Sequence, residues 1–179
     1  VRGAEDVETL KARQYVGLCL MRKNEFAEAE AQFSEILKQN RRVRGDDHLR
    51  TLAAVHPLVD SIQKQDRHQD AERLTAEWLP RHEQKLDASH FLTGSMRSLR
   101  GASLAALERF EEAEPLLLTG FKVMNTAVWK VKPTQLMLDA VRDGAQDYIL
   151  KSEITERMLV RSLRYAIERH RIEQQLRES

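Results

Sequence analysis

Cysteine is almost missing from this chain: Cys19 is the only one in 179 residues, so no disulfide can close within it and no cysteine metal site can form. A reducing, cytoplasmic setting is the default expectation. Aromatic residues are scarce at 6%, and seven glycines with four prolines are too few punctuators for a sandwich of short strands, which leaves helices favoured. Neither sign of charge is in excess, with 29 basic against 28 acidic residues, so no global basic field points to nucleic acid or a membrane as partner. No apolar run approaches the roughly 18 residues of a membrane span. The opening VRGAEDVETL lacks the basic-then-apolar build of a signal peptide, and because it starts on Val1 rather than methionine, the lack of a targeting signal carries little weight.

The chemistry-bearing motifs are missing too. There is no GxxxxGK[ST] phosphate loop, no GxSxG elbow and no kinase catalytic signature. The histidines, His48, His56, His68, His82, His90 and His170, include no HExxH pair and have no cysteine to complete a metal site. No catalytic residue, cofactor or metal is therefore expected, and the chain reads as a non-enzyme.

What is present is a repeat. Laid over itself with an offset of 42, the chain matches Thr9 to Thr51 and Thr93, Ala29 to Ala71 and Ala113, and Glu30 to Glu72 and Glu114. His48 falls on His90, Leu10 on Leu52, Phe26 on Phe110 and Gly17 on Gly101, while Glu28, Asp70 and Glu112 keep their sign. Within a unit the apolar residues recur at helical spacing, as in Val16, Leu20, Ala29, Phe33, Ile36 and Leu37. The breaks RKNEF, QKQDRH and ALERF are short polar turns of the kind that join antiparallel helices. Each unit is thus a helical hairpin. In the linker RRVRGDDH, Gly45 is placed to stop a helix and Asp46 or Asp47 to cap the next. Gly17, Val59 and Gly101 on the first helices, and Ala29, Ala71 and Ala113 on the second, are small where two helices must approach closely.

This pattern resembles the tetratricopeptide repeat, whose usual period is about 34 residues. The longer spacing, the block AEAEAQF and the linker GDDHLRTL are more similar to the repeats of kinesin light chain and of the tetratricopeptide tails of bacterial serine/threonine protein kinases; RFEEAEPLLLTGFKVM, Arg109 to Met124, resembles the last repeat of such a tail. The resemblance covers residues 7–124. It implies an all-α right-handed superhelix of three hairpins, about 7–48, 49–90 and 91–124, in a domain spanning 1–124. The middle unit departs from the pattern. Pro57 and Pro80 each remove a backbone hydrogen bond and are expected to kink a helix, and Thr75 stands where Phe33 and Leu117 are apolar, which predicts a looser repeat. Pro115 lies near its helix start, where a missing N–H matters least.

Arrays of this kind hold a peptide or a partner's tail on the concave surface lined by their first helices. By that resemblance the groove candidates are Lys11, Gln14, Leu18, Met21 and Arg22 from the first unit, His56, Asp60, Gln63 and Lys64 from the second, and Ser98 with Ala102 from the third. They lack the repeated Asn and Lys or Arg clamp of a carboxylate-capturing groove. The expected function is a protein- or peptide-binding scaffold in bacterial signalling.

After Met124 the repeat register is lost. Residues 125–179 read as a helix from Thr134, a stop at Gly144, a short strand at Asp147 to Leu150, and a long helix from Ile154. The last helix carries an apolar stripe of Met158, Leu159, Leu163, Ala166, Ile167, Ile172 and Leu176, which needs a partner surface: its own domain, a repeat, or a second copy in a coiled-coil homodimer. AVRDGAQDYILK with LVRSLRYAIERHRIEQQLRES resembles the end of two-component receiver domains. That resemblance equates Lys151 with the phosphoryl-contacting lysine, Tyr148 with the switch aromatic and Thr126 with the switch threonine. The acceptor aspartate and its acidic neighbours have no counterpart upstream, so the segment is expected to be non-phosphorylatable and to pack as a helical cap on the third repeat, or else to pair only in a longer protein or dimer. A degenerate receiver-like module and the regulatory tail of a serine/threonine kinase are the two alternative functions.

Overall fold

A computed structural model of the chain describes residues 7–130, and the side chains of 9–124. Six helices follow one another: α1 (Val7–Arg22), α2 (Phe26–Arg44), α3 (Leu49–Gln63), α4 (His68–Lys85), α5 (Phe91–Ala106) and α6 (Phe110–Lys130). They form three hairpins, and each of α2 and α4 packs against the first helix of its own hairpin and that of the next. The described residues contain no strand. Helix α6 runs past Met124, so Thr126 lies on a helix, while Tyr148, Lys151, the short strand and the long C-terminal helix fall outside the described residues.

The turns inside the hairpins are one device used three times. Asn24, Asp66 and Glu108 share a repeat position and all adopt left-handed backbone, with φ of 62°, 58° and 61°. In each, the following amide reaches back to the carbonyl five residues earlier, near the end of the helix: Glu25 to Leu20 at 3.0 Å, Arg67 to Ile62 at 3.4 Å and Arg109 to Leu104 at 2.9 Å. This closure satisfies carbonyls that a helix end otherwise leaves open.

Between hairpins the sequence expectation is half right. Gly45 ends α2 at φ 82°, where a side chain would be strained. The cap of α3, however, is His48, not Asp46 or Asp47: its Nδ1 accepts from the Arg50 amide at 3.1 Å, and His90 does the same for Leu92 at 3.1 Å. The aspartates are occupied elsewhere. Asp46 binds the Arg41 guanidinium at 2.8 Å and Arg81 at 3.3 Å, and Asp47 takes Lys85 at 2.9 Å. The hydrogen bond from Arg41 holds the Asp46 carboxyl below its ordinary pKa. Arg41 and Arg81 also bracket the buried Trp78 ring at 5.3 and 5.5 Å, so the linker, α2 and α4 are tied at one point. The repeated threonines clamp the same linkers, Thr51 donating to the Gly45 carbonyl at 2.7 Å and Thr93 to that of Asp87 at 3.2 Å.

Ala29, Ala71 and Ala113 are at most 1% exposed, as close helix approach requires. A Cβ on Gly17 would lie 2.6 Å from the Phe33 ring, and one on Gly101 would lie 2.7 Å from Leu117. In the middle hairpin the same two positions hold Val59 and Thr75, both fully buried. Volume is exchanged between the helices, and the Thr75 hydroxyl is satisfied by the carbonyls of Ala71 and Glu72. The helices of this middle hairpin are nonetheless the least extensively packed of the three pairs, as a looser repeat requires. Both α3 and α4 continue through Pro57 and Pro80. Pro115 is beyond the first turn of α6, since Ala113 already bonds back to Arg109, so its missing N–H does leave a helix bond unmade.

The third hairpin is closest of all. A Cβ on Gly120 would meet the Gly94 carbonyl at 2.7 Å, the Ser98 amide at 2.9 Å and the Ser98 hydroxyl. Because backbone cannot yield as a ring can, Gly120→Ala is expected to destabilise by about 1–3 kcal/mol. Gly17→Ala presses on the buried Phe33 ring, an overpacking partly offset by up to about 1 kcal/mol of helix propensity, so it should cost less than Gly120→Ala, about 0–2 kcal/mol. Urea denaturation followed by circular dichroism checks both, and equal losses would show that the backbone approach is not the constraint.

Candidate functional site

The first helices α1, α3 and α5 line one side of the array, and the two gaps between them differ. Between α1 and α3 lies a cleft of about 250 Å³ lined by Leu10, Lys11 and Gln14 of α1, Phe33, Ile36 and Asn40 of α2, and Arg50, Ala53, Ala54 and Pro57 of α3. Leu10, Phe33, Ile36 and Ala54 are buried and form its floor, while Lys11, Gln14 and Arg50 are exposed at its rim. Pro57 lacks the amide that would close on the Ala53 carbonyl, and both residues line the cleft.

Between α3 and α5 the gap is bridged. Gln63 donates to the Leu99 carbonyl at 2.7 Å and lies 2.8 Å from the Ser103 hydroxyl. His56 lies 3.0 Å from the Ser95 hydroxyl through Nδ1 and 3.1 Å from His82 through Nε2. Shifting by one repeat explains the contrast. The counterparts of His56 and Ser95 are Gln14 and Ala53, and the counterpart of Gln63 is Met21. Alanine and methionine side chains cannot make those bonds. The seam closes where the polar pair is complete, and the cleft lies where it is broken.

The groove candidates therefore separate. Lys11 and Gln14 come together at the cleft, while Leu18 and Arg22 are exposed elsewhere on α1 and Met21 packs half-buried against the core. His56 and Gln63 bridge α3 to α5, and Ser98 is pressed against Gly120 where α5 meets α6. Asp60 is half-buried, and Lys64 and Ala102 are exposed. Arg50 and Asn40 at the cleft escaped the sequence reading. Asn40 left a signal, since it and His82 occupy one repeat position and are both polar yet buried on second helices. Asn40 donates to the Ile36 carbonyl at 3.0 Å and accepts from Arg44 at 3.0 Å, so it is fixed in place.

Nothing in this arrangement resembles a reacting centre, and no group of three metal-ligating side chains gathers among the described residues. No described helix is long and apolar enough to cross a membrane.

Among solved structures the chain resembles a crystal structure of the nearly identical tetratricopeptide-like repeats assigned to a kinesin light chain of Podosopora anserina, in a form carrying one substitution. The TM-score is 0.62 with 14% sequence identity, over 94% of this chain and 75% of that one. The fold is tetratricopeptide-like. No family model matches the chain, nor does any curated relative. The likeness joins the repeat read from the sequence to a known architecture of helical hairpins.

If Gln63 serves the seam, Gln63→Ala leaves the Leu99 carbonyl and the Ser103 hydroxyl without that partner and should cost about 1–3 kcal/mol. Lys64→Ala, at an exposed neighbour, should stay within about 0.5 kcal/mol. Thermal unfolding of the two variants separates a structural glutamine from a surface residue free to bind a ligand.

Proposed function

We propose that this protein is a non-enzymatic scaffold that binds a peptide or a partner's tail in the cleft between α1 and α3. The observation that carries the reading is that cleft itself: an apolar floor open to the side lined by first helices, where the neighbouring seam is shut. Its volume of about 250 Å³ is below the roughly 300–1,000 Å³ usual for small-molecule pockets, which suits one inserted side chain rather than a cofactor.

The lining also favours a ligand chemistry. Leu10, Phe33 and Pro57 would receive an apolar side chain, and Lys11 with Arg50 would attract acidic residues beside it. The Ala53 carbonyl, which Pro57 cannot satisfy, offers an acceptor to a peptide amide. An apolar residue flanked by acidic ones is thus the preferred motif. The signalling setting rests on the sequence resemblances, the cytoplasmic location on the near absence of cysteine, and a homodimer on the apolar stripe from Met158 to Leu176.

Peptides selected by display on the folded chain test this. Those selected should carry an apolar residue next to acidic ones, and Lys11→Glu with Arg50→Glu should weaken them by about tenfold or more while the helical signal is unchanged, in keeping with two lost charge contacts near a surface. Binding that ignores both substitutions, or that maps to α5, would reject the assignment.

A further inference from the structure

The short hydrogen bonds of the histidine pair in the α3–α5 seam fit one proton arrangement, with the Leu52 carbonyl as a second backbone acceptor near His82. His82 Nδ1 lies 2.8 Å from the Trp78 carbonyl, and because a carbonyl only accepts, that nitrogen carries the proton and leaves a lone pair on Nε2. His56 Nε2, 3.1 Å away, must then donate to it, which leaves His56 Nδ1 to accept from the Ser95 hydroxyl at 3.0 Å. The bonds run one way, from Ser95 on α5 through His56 on α3 to His82 and Trp78 on α4. A proton added to His82 Nε2 would set two N–H groups head to head. One added to His56 Nδ1 can be met by turning the Ser95 hydroxyl, but it puts a charge in the seam.

The surroundings offer that charge little. The chain carries Asp60 one turn from His56 on α3, Arg81 and Glu83 beside His82 on α4, Arg97 and Arg100 on α5, His90 in the linker and Arg41 on α2. Arg97 is engaged with Glu83 at 2.9 Å, Arg100 with Glu72 at 3.3 Å, and Arg41 and Arg81 with Asp46 at 2.8 and 3.3 Å. The groups that act on the pair are other bases, His82 on His56 and His90 on His82. Burial, with His82 second, holds His56 down to about 3, and burial also holds His82 below its ordinary value against the opposing bonds to backbone carbonyls. Both shifts are downward, so the closed seam is favoured above the ordinary histidine pKa of about 6.5 and loses that advantage progressively as the pH falls from there.

We propose that the α3–α5 seam is a protonation-gated joint, closed at neutral pH and parted in mild acid, so that the shut half of the first-helix side opens as a second cleft. His82 is fully buried and His56 only half so, which makes His56 the residue that leaves for water. The third hairpin, held together by the Gly94–Gly120 approach, then turns as a unit about the ion pairs that join α4 to α5. This gating holds whether or not the open cleft binds a peptide.

The test uses the full chain with Cys19→Ser and spin labels at Lys64→Cys on α3 and Ala102→Cys on α5, both exposed sites. The label separation is expected to lengthen reversibly as the pH falls from about 6.5 to 5, with the helical signal retained. In His56→Gln, which keeps hydrogen-bonding capacity without titrating, only the His82 contribution is left, so the change should shrink and move to lower pH. A separation indifferent to pH, an unaltered response in His56→Gln, or loss of helix with the same midpoint would each overturn the proposal. Imidazole nitrogen NMR of the unsubstituted chain gives a check that does not depend on the variant folding: His82 protonated on Nδ1 at pH 7.5 supports the joint, and the Nε2–H tautomer refutes it.

Discussion

Two helices of a hairpin can bury their facing stripes only if the side chains at their crossing sum to the space the turn allows. Three turns with left-handed residues at Asn24, Asp66 and Glu108 begin every hairpin in the same way and leave a space at each crossing. The sequence then fills it in three ways: Gly17 with Phe33, Val59 with Thr75, Gly101 with Leu117. Alanine at 29, 71 and 113 leaves the same approach open each time. The spacing is not uniform: it is tightest in the third hairpin, where Gly94 meets Gly120, and the array is built from hairpins that start alike and differ in how closely their helices lie.

On these hairpins the side lined by first helices is differentiated by a few polar choices. A histidine and a serine at one pair of repeat positions, and a glutamine facing a carbonyl at another, shut the gap between α3 and α5. Glutamine, alanine and methionine at the preceding positions cannot do so, and Pro57 sits at the wall of the resulting cleft. The same backbone therefore gives a closed joint and an open site side by side. Between hairpins, Arg41 and Arg81 both lie over the Trp78 ring and both pair with Asp46, which ties α2 and α4 to the linker.

The helices, their hairpin pairing and the glycine stop at Gly45 were legible because each rests on local periodicity or on a backbone requirement that few residues meet. The helix caps were not, because histidine is an uncommon cap and two aspartates stood closer to the expected type; only the structure shows that arginines had claimed them. The groove was legible as a side of the array but not residue by residue. His56 and Gln63 look like exposed polar groups along one helix, and their partners Ser95 and Leu99 lie a whole repeat away. Thr75 was legible as the mark of the less extensively packed middle hairpin, but its burial and its bonds to the Ala71 and Glu72 carbonyls were not.

The shared space at a crossing can be measured by importing the first hairpin's pair into the second. Val59→Gly and Thr75→Phe, made singly, should each destabilise, one by a cavity and the other by overpacking. Made together they recreate the Gly17–Phe33 arrangement, so the double variant should regain about 1–3 kcal/mol relative to the sum of the two losses. Strictly additive losses would contradict the account, because the two positions would then not share one space.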